Sequence, residues 1–140
     1  MYDERINYNI RMTEIESQKS INKLKLDKNG RAQFRVNTYF NFINKRIPYD
    51  LMLGYYLIQL DGNRYKKIAT ASIPAMGDER INATSEGFFD TSEIKFEAPG
   101  KYALELYVCE QPDIGPEGEE KFNYRKDGYM VSSYFFDIDK

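Results

Sequence analysis

Phe96-Glu97-Ala98-Pro99-Gly100-Lys101-Tyr102-Ala103-Leu104-Glu105-Leu106-Tyr107-Val108-Cys109 is the stretch whose reading decides the fold. Pro99 presets φ and Gly100 tolerates φ > 0, so residues 98–101 read as a tight turn. Beyond it Tyr102, Leu104, Leu106 and Val108 fall on one side, and Ala103, Glu105, Tyr107 and Cys109 on the other. That period of two is the pattern of a strand with one buried face.

Working outward, the same alternation recurs. Ile6, Tyr8, Ile10 and Met12 alternate with polar residues over about residues 5–13. A short strand carries Leu24 and Leu26, and Asp27-Lys28-Asn29-Gly30 reads as a hairpin turn. From Ala32 to Phe42, Phe34, Val36, Thr38, Phe40 and Phe42 face inward. Leu51 to Leu60 is nearly all apolar and therefore central, and Asp61-Gly62-Asn63 closes a hairpin onto Arg64 to Ile73. Residues 74–87 read as a loop and 88–96 as a strand. Residues 111–128 hold Pro112, Gly115, Pro116 and Gly118 and form the long flexible F–G loop, before a last strand from Tyr129 to Ile138. No stretch keeps a helical period.

Regularly spaced strands with turn punctuation predict an all-β, two-sheet antiparallel β-sandwich of about seven to nine strands. The chain of 140 residues is read as a single domain, 1–140. The Ala98-Pro99-Gly100-Lys101-Tyr102 corner feeding a Tyr-initiated strand resembles the E–F corner of immunoglobulin-like sandwiches. The order of segments is similar to the fibronectin-III-like layout, which implies strands A, B and E in one sheet and C′, C, F and G in the other. This resemblance implies a fold and no activity. The Cys…Trp…Cys hallmark of antibody domains is absent, since the chain has one Cys and no Trp.

Composition excludes several kinds of chemistry. With no His, the commonest general base and the His-ligated metal sites are missing. Cys109 is alone and reads as a buried structural thiol. Ser20-Ile21-Asn22-Lys23 matches S-x-x-K without its companion motifs, and reads as a polar turn before a strand. Glu117, Glu119 and Glu120 lie in a Gly/Pro-rich stretch and read as a solvated acidic run. Asn82-Ala83-Thr84 is a glycosylation sequon that matters only in a secreted chain. No cofactor is expected, and the chain is read as non-enzymatic. Net charge is −2 with scattered basic residues, which disfavours nucleic acid as a partner. No apolar run approaches the roughly 20 residues of a membrane helix. The polar start Met1-Tyr2-Asp3-Glu4-Arg5 carries no leader, so a cytoplasmic location is expected. Abundant Lys, Asn, Ile and Tyr with no His or Trp suggests an AT-rich bacterial or phage genome.

The sharpest functional signal is a surplus of apolar residues on strands C, F and G. Polar Gln59 and Asp137 mark one face of their strands as the outer one. That reading places Leu53, Tyr55, Leu57, Tyr107, Val131 and Phe135 on an outer face that a protein partner, a second copy or the F–G loop must cover. A protein-interaction module, with a homodimer possible, is therefore the leading expectation. A carbohydrate- or small-ligand-binding sandwich using the Tyr-rich face is the alternative.

Overall fold

The computed structural model describes residues 6–14, 16–17, 19–42, 51–62, 64–73, 82–90, 96, 99–110 and 123–139. The described residues form strands β1 (Ile6–Thr13), β2 (Lys23–Lys25), β3 (Gln33–Phe42), β4 (Leu51–Gln59), β5 (Arg64–Ile73), β6 (Asn82–Asp90), β7 (Gly100–Glu110) and β8 (Tyr129–Asp139), with a helical turn, α1 (Tyr124–Asp127), just before β8. They form a three-stranded sheet, β1-β3-β6, and a five-stranded sheet, β2-β8-β7-β4-β5. In sandwich lettering these are A-B-E and A′-G-F-C-C′, the expected layout with a short A′ strand added. All pairings are antiparallel except β2 with β8, where Leu24 lies beside Ile138.

The two inner faces meet in one core. Tyr8, Ile10 and Met12 of β1 and Phe34, Val36 and Phe40 of β3 pack against Leu51, Leu53, Tyr55 and Leu57 of β4. Tyr102, Leu104, Leu106 and Val108 of β7 and Phe136 and Ile138 of β8 complete it. The Tyr102 ring stacks on Phe136 at 5.7 Å and meets Phe96 edge-on at 5.5 Å, so the corner tyrosine is a core residue. Inside this core the Thr38 and Tyr55 hydroxyls hydrogen-bond across the sheets at 2.8 Å.

Several expectations are corrected. The turn at residues 27–30 is not a hairpin: it passes the chain from β2 in one sheet to β3 in the other. The Asp27 carboxylate accepts the Asn29 and Arg31 N–H groups at 2.8 and 3.0 Å, and Gly30 takes φ 76°, which only glycine adopts cheaply. These backbone hydrogen bonds hold the Asp27 carboxyl below its ordinary pKa. β6 starts at Asn82, well before residue 88, and pairs with β3 from Asn41↔Asn82 to Gln33↔Asp90. Its Asn-Ala-Thr-Ser-Glu-Gly start has weak strand propensity, and pairing with a long neighbour overrides it. Gly100 is already the first residue of β7, opposite Ile138. Residues 44–50, most of the 111–128 segment and Glu117, Glu119 and Glu120 lie outside the described residues.

Candidate functional site

The outer face of the five-stranded sheet can be built row by row, because residues paired across strands share a face. One row runs Tyr65, Ile58, Ala103, Phe135 across β5, β4, β7 and β8. The next holds Lys67, Tyr56, Glu105 and Ser133, and the one after it Thr70, Gly54, Tyr107 and Met130.

α1 sits on the last two rows. Tyr124 is fully buried over Gly54, in a second apolar cluster with Tyr56, Ile58, Ala103, Tyr107 and Cys109. Its position requires the missing side chain: a Cβ on Gly54 would lie 2.6 Å from the Tyr124 ring. The turn is capped locally. The Asn123 side chain accepts the Lys126 N–H at 3.1 Å, and Gly128 N–H donates to the Tyr124 carbonyl at 2.9 Å. Burial under this turn raises the Tyr56 pKa, ahead of the lowering influence of the Tyr124 and Arg125 backbone.

Beside this plug lies a polar and aromatic cluster. The Tyr107 hydroxyl donates to Glu105 Oε1 at 2.9 Å and accepts from Arg125 Nε at 3.4 Å. Arg125 Nε stands 4.0 Å from the same carboxylate oxygen, and its guanidinium carbon lies 4.1 Å above the Tyr65 ring centre. Tyr56 meets Tyr107 edge-on at 5.4 Å and Tyr65 at 5.9 Å. Burial, ahead of every other influence, raises the Tyr107 pKa. It also pushes the Cys109 thiol up to about 11, where it carries almost no nucleophilic thiolate.

The six residues expected on the outer face divide. Leu53, Tyr55 and Leu57 belong to the core between the sheets, so their assignment to an outer surface is corrected. Gln59 misled it: it sits at the inner end of β4, buried, with its side-chain oxygen accepting from Arg64 Nε at 2.9 Å. Val131 is also corrected. The pairing of β7 with β8 slips between Leu106 and Tyr107, after which Val131 packs on the inter-sheet core and Met130 turns outward. Tyr107 is on the outer face but lies beneath α1, and Phe135 is on the outer face and 65% exposed. Tyr65 at 50% and Met130 at 53% are also large and exposed on this face. Ser20 and Lys23 of the S-x-x-K match lie exposed where the chain changes sheets, with Ser20 bridged to Thr13. Sequence reading missed Tyr124 and Arg125. The signal for Tyr124 was Gly54, because an isolated glycine in an apolar strand marks a close approach.

No family model and no curated protein matches this chain. Among solved structures it is similar to an alkylpurine DNA glycosylase of Pseudomonas fluorescens, solved bound to DNA containing an abasic site analog. That likeness has a TM-score of 0.51 at 12% identity, over 97% of this chain and 31% of the glycosylase. A β-glucosidase from Listeria innocua, solved with gluconolactone, matches at a TM-score of 0.50 and 12% identity, over 96% of this chain and 16% of the enzyme. An immunoglobulin-like protein from Pseudomonas aeruginosa matches 97% of this chain and 93% of its own length at 9% identity, with a TM-score of 0.41. The chain thus spans under a third of the glycosylase and under a fifth of the glucosidase. Among the described residues no helix is long and apolar enough to cross a membrane. At such identities the likeness concerns the fold alone, and it is the strand order A-B-E and A′-G-F-C-C′ that gives this chain an immunoglobulin-like β-sandwich fold.

Proposed function

We propose that the chain is a non-enzymatic protein-interaction module that binds its partner through the outer face of the five-stranded sheet. The observation that carries this reading is the row Tyr65–Ile58–Ala103–Phe135. Its two end residues are half or more exposed, while Ile58 and Ala103 between them are buried and apolar. A continuous apolar row bordered by charges is the composition of an interface centre with a polar rim. Lys67 and Glu105 border it on one side, Lys101 and Asp137 on the other.

Phe135→Glu is the direct test, because an exposed position accepts the charge without unfolding. Light scattering on the wild type reports self-association. Peptide display, counter-selected on the variant, reports a foreign partner. The reading requires at least one of them to give binding that Phe135→Glu abolishes at unchanged melting temperature. A monomeric wild type with no Phe135-dependent peptide would refute it.

A further inference from the structure

We infer that Tyr65, Tyr107 and Glu105 form a guanidinium-binding site for an arginine side chain of the protein partner, which Arg125 of the chain itself occupies in the partner's absence. The inference deepens the interaction-module reading and rests on it.

The chemistry of the cradle is specific. A guanidinium is planar, always charged, and is held by aromatic faces and carboxylates together. Here Tyr65 offers a ring face, and Glu105 offers a carboxylate already aligned by the Tyr107 hydroxyl at 2.9 Å. Tyr56 backs both tyrosine rings, at 5.4 and 5.9 Å. The cluster therefore persists whether or not Arg125 is in it.

Arg125 fills this cradle poorly. A strong arginine–carboxylate pair puts two N–H groups about 2.7–2.9 Å from two oxygens. Arg125 instead approaches with Nε alone, 4.0 Å from Glu105 Oε1 and 3.4 Å from the Tyr107 hydroxyl. The cause is its neighbour. Tyr124 is pinned over Gly54, so the backbone from which Arg125 approaches is fixed by that contact rather than by Glu105. An arginine on a partner seated across the Tyr65–Phe135 row has no such tether. It can pair with Glu105 through both N–H groups while stacking on Tyr65. The Arg125 side chain, 30% exposed, then gives up its Tyr107 hydrogen bond and its place over Tyr65 to the incoming guanidinium and turns to water.

The full chain carrying Arg125→Ala tests this, with N-acetyl-arginine amide as probe and N-acetyl-lysine amide as control. Tyrosine ring resonances follow binding. The arginine probe is expected to bind about tenfold more tightly than the lysine probe, since only guanidinium both stacks and forks. Wild type should bind it more weakly than the variant, because Arg125 competes. Glu105→Gln in the same background should remove the preference. Should Arg125→Ala fail to fold, Arg125→Gln serves in its place. Equal binding of the two probes, or a preference that survives Glu105→Gln, would overturn the inference. Failure here alongside Phe135-dependent partner binding removes the arginine site and leaves the interaction face standing.

Discussion

Replacing Gly54 with alanine adds one methyl group beneath Tyr124, and its consequence can be worked from the geometry. The new Cβ would stand 2.6 Å from Tyr124 Cγ and 2.9 Å from its Cβ and Cδ1. Those atoms include the root of the side chain, so a ring rotation cannot relieve the clash; α1 or β4 must shift. Overpacking of this kind costs about 1–3 kcal/mol. Against it, removing a glycine from the unfolded chain stabilises by about 0.4–1 kcal/mol. Undocking α1 altogether is dearer, since burying a tyrosine of about 150–250 Å² contributes up to roughly 4–6 kcal/mol. Strain with α1 still docked therefore wins, for a net loss of about 1–2 kcal/mol and a melting temperature lower by about 3–8 °C. Urea unfolding of a double-mutant cycle isolates the cause. With Tyr124→Ala already in place the clash partner is gone, and Gly54→Ala should turn neutral or stabilising by about 0.5 kcal/mol. The same loss in both backgrounds would refute the close-approach argument.

Two further predictions follow from buried groups. Tyr55→Phe strands the buried Thr38 hydroxyl and should cost about 1–2 kcal/mol in urea unfolding, most of which Thr38→Val in addition should return. Burial holds the Tyr55 phenol above its ordinary pKa, so its contribution is whole below about pH 10 and is lost as pH rises through the raised folded value. A pH–stability curve should therefore fall less steeply in the alkaline range for Tyr55→Phe. Cys109, with its thiol pushed up to about 11, should react with a maleimide at pH 8 only as fast as the outer face opens. Tyr124→Ala should speed that labelling, and an unchanged rate would show that α1 does not guard the thiol.

How much of this was legible depends on what each strand faces. β3 keeps polar residues on one side, and β7 breaks its outer side with Lys101 and Glu105, so their alternation identifies both the strands and their inner faces: Phe34, Val36, Leu104 and Leu106 are all core residues. β4 has no polar side to read. Its inner face meets β1 and β3 while Tyr124 closes part of its outer face, so Leu51 to Ile58 is apolar throughout apart from Gly54. The only polar residue of the strand, Gln59, satisfies its amide oxygen with Arg64 at the inner edge, and that single side chain inverted the assignment of Leu53, Tyr55 and Leu57. Val131 was misplaced for a different reason. A register slip changes which side chains point inward, and nothing in residues 129–135 marks where it falls.

The apolar surplus on the outer face of strand C is buried at Tyr56 and Ile58 alike, and the two positions differ in what borders them. At Gly54 and Tyr56 the surplus is covered within the chain, by a tyrosine that needs the absent Cβ and a helical turn capped to hold it. At Ile58, two residues further on, the same face meets Ala103 and ends in exposed Tyr65 and Phe135. A count of apolar residues cannot separate these cases, because a position under Tyr124 and one beside an exposed row end both leave β4 apolar. What separates them is chain geometry. A one-turn helix reaches about 6 Å along its axis, and with Tyr124 it joins Tyr56, Tyr107 and the Ile58–Ala103 centre of the next row in one buried cluster, leaving Phe135 exposed at that row's end. The Arg125 guanidinium lies over Tyr65, so among the described residues α1 extends over the β5 end of the Tyr65–Phe135 row, while Phe135 at its other end stays exposed.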